Sequence, residues 1–175
     1  LFRSDGGTAV HANLTAAADA NGDPDVNVTV GAGDLNVTKL NLIKAATTGT
    51  ITASISGTAN ALTGLNTAAT DAITMTVAAG TVTAADLATI DGKTSVTVDA
   101  NAVTKITGSD TEVLAALTAD DNNTLVIDTD FNTDVTGDLS VANANTIVLA
   151  TTGQVDFTGT ITDSMASMLN DAEDG

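Results

Sequence analysis

The sequence predicts a mainly β fold: a β-solenoid-like stack of about three and a half repeats of 51–52 residues, each with several short strands and one short helix. Three observations predict it. Two unrelated short phrases recur at nearly one period. Strand-like stretches alternate hydroxyl or amide residues with Val, Ile or Leu. The apolar set is small and β-branched, with Phe2, Phe131 and Phe157 as the only aromatics, which suits thin stacked layers. A β-sandwich with a duplicated sequence is the alternative, because Thr- and Val-rich alternating strands serve either architecture.

The first phrase is apolar–hydroxyl–Gly. It occurs as Ile55-Ser56-Gly57, Ile106-Thr107-Gly108 and Phe157-Thr158-Gly159, at steps of 51 residues. The second, Asp-Leu, occurs as Asp34-Leu35, Asp86-Leu87 and Asp138-Leu139, at steps of 52. Repeats 34–85 and 86–137 are thereby delimited, with a partial N-terminal repeat over 1–33 and a partial one over 138–175, all in one continuous domain.

Within each repeat the glycine precedes a short helix-spaced stretch: Leu62 and Leu65, then Val113, Leu114 and Leu117, then Met165, Met168 and Leu169. Ser109 with Glu112 makes a capping box, and Thr160 with Asp163 a weaker copy. An Asn/Asp-rich loop follows, then a strand: Val26–Val30, Ile73–Val77 or Leu125–Ile127. Further strands are expected at Thr94–Val98 and at Thr146–Leu149. In-register stacking, at about 4.8 Å per layer, would set Val96 on Ile147, Val98 on Leu149, and Ile55, Ile106 and Phe157 in one column. Both ends of such a stack leave unpaired strand edges, so self-association through the repeat ends is expected. The chain begins at Leu1 and reads as an excised piece of a longer one.

Composition excludes several classes. The chain has 175 residues, 22 acidic and 5 basic side chains, a formal charge of −17 and no Cys. Disulfide scaffolds, thiol enzymes and Cys-ligated zinc are ruled out. Nucleic-acid binding is excluded for want of a basic surface and stacking aromatics. Strong charge suggests disorder only when hydrophobicity is low, and here 43 % of residues are hydrophobic. No apolar run approaches the roughly 20 residues that cross a bilayer, so membrane insertion is not expected.

The acids are almost all Asp: 20 against Glu112 and Glu173 alone. Asp19, Asn21, Asp23 and Asp25 place oxygens at every second residue, and Asp128, Asp130, Asn132 and Asp134 do the same. Alternate carboxylate and amide oxygens on a curved loop are what a hard cation with six to eight ligands requires, so these eight residues are the candidate Ca²⁺ ligands. Neither run completes an EF-hand loop, and Asp and Asn also favour turns for local hydrogen-bonding reasons. Stacking at one period would bring Asp34, Asp86 and Asp138 together, either as turn residues pointing into water or with cations between them.

Catalytic machinery is scarce. His11 is the only histidine, and no nucleophile elbow, zinc-protease motif or P-loop is present. The expectation is a non-enzyme. The Thr-x-Thr pairs Thr50/Thr52, Thr74/Thr76 and Thr81/Thr83 suggest an ordered hydroxyl face, but they do not recur at 51–52 residues and so are not expected to form a grid. Asn-x-Thr sequons at Asn13, Asn27, Asn36 and Asn122 matter only where the source glycosylates exported proteins.

The stretch Thr83–Gly108, with the helix-spaced run to Leu117, resembles Thr/Ala/Asp-rich repeats of very long bacterial, cyanobacterial-type secreted cell-surface proteins, of the S-layer-like or RTX-type adhesin kind. The tandem Gly-rich nonapeptides that define RTX calcium rolls are missing. The resemblance implies an extracellular or cell-surface structural module, often calcium-dependent, within a surface layer, fibre or adhesin stalk. An adhesive module for a glycan, another cell surface or ice is the alternative.

Overall fold

The structure, a computed structural model, describes residues 25–31 and 35–163. Strand β1 (Val28–Thr29) and helix α1 (Val37–Ala45) open the described chain, followed by β2 (Ile51–Gly57) and the short α2 (Ala59–Leu62). Next come β3 (Ala72–Val77), β4 (Gly80–Thr83) and α3 (Ala84–Asp91). The following segment holds β5 (Val98–Asp99), β6 (Val103–Ser109) and α4 (Asp110–Asp121). The last elements are β7 (Leu125–Val126), β8 (Asn132–Thr136), β9 (Leu139–Ser140), α5 (Val141–Ala150), β10 (Val155–Phe157) and β11 (Ile161–Thr162).

The strands form three parallel sheets: β1-β2-β3-β5-β7, β10-β8-β6-β4, and the pair β11-β9. Parallel neighbours cannot be joined by hairpins, so the chain must travel away and return between them, and the helices lie on those return paths. The α3–α4 and α4–α5 neighbours pack side by side.

Two expectations are corrected. Of the described residues, 32 % are helical and 31 % are in strands, so the fold is mixed α/β and not mainly β. Every described strand pair is parallel, and a sandwich of antiparallel strands is not formed among them. The clearest single case is Thr146–Leu149, expected as a strand, which lies inside α5. Its run of β-branched residues reads as a strand locally, but Ser140 caps the segment by accepting the Asn143 N–H at 3.1 Å. Ala144 and Ile147 then point inward at helical spacing, where burial outweighs a propensity difference of well under 1 kcal/mol. Likewise Asp86-Leu87, expected as a turn, belongs to α3, with Leu87 fully buried.

Paired strands are separated by 20 to 27 residues: Val28 with Ile51, Thr52 with Ala72, Val98 with Leu125, Thr133 with Val155. That is about half the period of the sequence markers, so the expected columns do not form. Ile55 faces Met75 in the first sheet, while Ile106 lies between Val82 and Thr133 in the second, and Phe157 sits beside Val135. Val98 meets Leu125 instead of Leu149, which is 86 % exposed.

The core is one continuous cluster running from Val28 to Ile147. Strands contribute alternate residues, such as Ile51, Ala53 and Ile55 from β2 and Ile73, Met75 and Val77 from β3. Helices contribute residues three apart, Leu40 and Ile43 or Leu87 and Ile90. Each fully buried Leu or Ile is worth roughly 1.5–3 kcal/mol, and with almost no aromatics this set has to be long.

Every helix begins the same way. Asn36, Thr58, Thr83, Ser109 and Ser140 are N-caps whose side-chain oxygens accept a backbone N–H three residues on. A cap of this kind contributes about 1 kcal/mol. Ser109 and Glu112 form the capping box expected from the sequence, with the Ser109 N–H donating to Glu112 Oε2 at 2.8 Å.

Candidate functional site

Asp19, Asn21 and Asp23 of the first candidate calcium run lie outside the described residues, as does His11. Asp25 is described, and its carboxylate accepts the Thr48 hydroxyl. The second run is spread along a turn and a strand. Asp128 Oδ1 accepts the Thr129 N–H at 2.7 Å, and Asn132 Oδ1 accepts the Gln154 N–H at 2.7 Å. Asp134 pairs with Lys105, with Nζ 2.6 Å from Oδ2, and Asp130 is exposed. Asn132 and Asp134 share the outward face of β8, because Thr133 between them is buried. Among the described residues, no three carboxylate, His or Cys side chains come together in a way that could hold a metal ion.

The other acidic cluster ends α4. Asp120 Oδ1 accepts the Ile127 N–H at 2.8 Å, and Asn123, at φ 59°, takes the left-handed turn. Asp86 stands in α3 while Asp138 precedes β9 and accepts the Thr160 N–H at 2.8 Å, so these two do not stack.

Threonines of the turns after the helices have a role that sequence reading missed. Thr47, Thr94 and Thr151 are all buried. Thr94 Oγ1 accepts the Ile73 N–H at 2.9 Å and the Val96 N–H at 3.1 Å, and donates to the Ile73 carbonyl at 2.7 Å. Thr151 donates to the Phe131 carbonyl and accepts the Gly153 N–H at 3.0 Å. Thr47 does the same with the Val26 carbonyl and the Gly49 N–H, the latter at 3.0 Å. Each hydroxyl thus ties one pass of the chain to the preceding one. A signal existed: Ala-Thr-Thr-Gly stands at 46–49 and again at 150–153.

The outward faces of the two larger sheets differ. On the first sheet, exposed Thr52, Ser54 and Ser56 of β2 stand in register with Ala72, Thr74 and Thr76 of β3, and Thr76 continues to Asp99. Hydroxyls do align, contrary to the sequence expectation, because the operative step is 20 residues and not 51–52. They repeat about 4.8 Å apart across strands and about 6.6 Å along them. The second sheet presents charge: Thr83, Thr107, Asp134 and Asp156 form one row. Its adjacent carboxylates are relieved separately, Asp134 by Lys105 and Asp156 by the Gln154 amide at 2.9 Å.

Two open grooves cross the surface. One, of about 350 Å³, runs past Asp91, Ser95, Thr97 and Thr124. The other, of about 430 Å³, lies between α4 and α5, lined by Leu117, Asp120, Asp121, Thr146 and Leu149. Neither places a nucleophile beside a base. The carboxylates held below their usual range are both at the start of α4: Asp110 through the Asn143 amide and then the Thr111 N–H, and Glu112 through the Ser109 N–H and then its hydroxyl. These are helix-end interactions, not the pairing of an acid with a base that catalysis uses.

The chain matches no protein family, no curated protein and no solved structure.

Proposed function

We propose that the protein is a non-catalytic, extracellular structural module: a solenoid whose coils of 20 to 27 residues stack on one another, serving in a surface layer, fibre or adhesin stalk. The observation that carries this reading is the unbroken parallel register. Each pass pairs with the one before it, hooks on through a buried threonine or an Asn side chain, and adds to one continuous core. Such a molecule grows by adding coils and offers its ends for further copies. The grooves are shallow and carry no reacting groups, which favours a scaffold over an enzyme. Negative-stain electron microscopy of the chain at rising concentration tests the assembly: end-to-end filaments are expected, and particles that stay monomeric at every concentration would count against it.

Calcium belongs to the same proposal through the two alternating runs, Asp19–Asp25 and Asp128–Asp134. An ion at the second run would have to replace Lys105 at Asp134. Binding to the folded state alone raises stability by mass action. Thermal melting with and without millimolar calcium tests the claim, and an unchanged midpoint would remove it.

One observation favours a second reading. The neutral Ser/Thr face of β2 and β3 has its hydroxyls on a flat two-dimensional repeat, a pattern suited to an ordered water lattice or a crystalline glycan. Inhibition of ice recrystallisation, abolished by Thr74→Lys, is the expected result on that reading. No inhibition by the unaltered chain, together with no glycan binding, would dismiss it.

A further inference from the structure

Helix α5 leaves one flank uncovered, and the register of the chain says what should lie there. Aligned on their caps, Ser109 and Ser140, helices α4 and α5 correspond position by position. Asp110 then answers to Val141, and Leu117 to Val148. Those two α4 positions are the ones that α5 covers. Asp110 Oδ2 accepts the Asn143 amide N–H at 2.8 Å, and Leu117 is 8 % exposed in the groove that it shares with Thr146 and Ala150. The corresponding positions of α3, Ala84 and Asp91, are also engaged: Ala84 is buried and Asp91 accepts the Thr124 hydroxyl from the next pass. On α5 the pair is apolar and open, with Val141 37 % and Val148 49 % exposed.

The next pass is already in register. Leu139 pairs with Ile161 and Ser140 with Thr162, a step of 22 residues, so Thr162 holds the capping position that Ser140 holds before α5. Carried forward by the same step, the core positions Ala144 and Ile147 become Ala166 and Leu169. Asn143 and Thr146, the α5 residues turned toward α4, become Met165 and Met168. Polar Asn143 meets polar Asp110 in the existing layer. In the next layer, methionine would meet valine.

We propose that residues 163–172 form a further helix, capped by Thr162, whose Met165 and Met168 cover Val141 and Val148 while Leu169 extends the core beyond Ile147. The open flank of α5 is therefore a docking surface for the chain's own following segment. This rests on the coil reading above, and two cysteine pairs in the full, naturally Cys-free chain separate the two claims. Asp110→Cys/Asn143→Cys joins α4 to α5 and reports on the coil itself. Val148→Cys/Met168→Cys reports on the proposed helix.

With a short bifunctional thiol reagent, both pairs are expected to lose their free thiols and run as internally linked monomers. Linkage of the first pair with free thiols remaining in the second would overturn the proposal and leave the coil reading standing. Linkage of the second pair only between molecules would also overturn it, in favour of a second copy seated on α5. Free thiols in the first pair would overturn the coil reading and the proposal with it.

Discussion

Lys44 Nζ lies 3.0 Å from Oδ2 of Asp71, whose side chain is wholly buried beneath the turn that follows α1. The carboxylate is saturated: Oδ1 also accepts the Ile51 N–H at 2.9 Å, and Oδ2 accepts the Ala68 N–H at 2.9 Å. Two successive passes of the chain are thus joined through one charge. Buried carboxylates persist only when paired and hydrogen-bonded in this way.

Removing one partner of that pair should therefore be severe. Asp71→Ala leaves an ammonium and two backbone N–H groups without their acceptor and is expected to cost about 3–5 kcal/mol. Lys44→Met/Asp71→Ala should cost less than the sum of the single changes, since no uncompensated charge remains. Urea unfolding of the three variants measures it, and strict additivity would mean that the two groups act independently.

Thr151→Val keeps the shape of the side chain but strips the bonds to the Phe131 carbonyl and the Gly153 N–H. A loss of about 1–3 kcal/mol is expected, the cost of leaving buried polar groups unmade. Thr146→Val, on the exposed side of α5, should stay within about 0.5 kcal/mol. Equal losses at both positions would contradict the tying role of the buried hydroxyl.

Gly153 has no room for a side chain, because a Cβ there would run into the Phe131 backbone carbonyl. Gly153→Ala is expected to destabilise by roughly 1–3 kcal/mol through forced backbone movement. Gly92→Ala is the contrast: its Cβ would meet only the Ala88 carbonyl at 3.6 Å, an ordinary contact, and its φ of −66° suits any residue. That change should be neutral or stabilise by about 0.4–1 kcal/mol, by restricting the unfolded chain. Midpoints of thermal unfolding for the two variants should therefore move apart.

Acid should weaken the start of α4. The Glu112 carboxyl is held below its ordinary value of 4.5 by the Ser109 N–H, and Asp110 below its ordinary 3.8 by the Asn143 amide. A carboxylate with a depressed folded-state value binds fewer protons folded than unfolded. Its stabilising contribution is complete above the unfolded value and is lost as pH falls through the folded one. Melting temperature is therefore expected to fall as pH drops below about 4.5, and to fall less steeply in Glu112→Gln. Parallel pH profiles for the two proteins would show that Glu112 takes no part.

Much of the local structure was legible in the sequence. The Ser109–Glu112 capping box, the alternation of Ile73–Val77 and the helical spacing of Val113 and Leu117 all gave elements of the expected type, because each depends on neighbours a few residues away. Thr146–Leu149 was not legible, since its β-branched run suits a strand and only the core positions of Ala144 and Ile147 make it a helix. At the calcium candidates, alternation correctly put Asn132 and Asp134 on one face. It could not reveal that Gln154 and Lys105, from other strands, already occupy their oxygens.

The sequence by itself determined where helices begin, which residues of each strand turn inward, and that the chain repeats. Those are short-range matters of capping, pleat and periodicity. The tertiary structure decided the step of the repeat. Pairing at 20 to 27 residues, and not at 51–52, sets which strands are neighbours, and hence which threonines are buried hooks and which align on an open face. Markers that recur only on alternate passes carry twice the true period, and no local interaction records the difference. Only backbone hydrogen bonds between passes, with one core closing beneath them, select the shorter step.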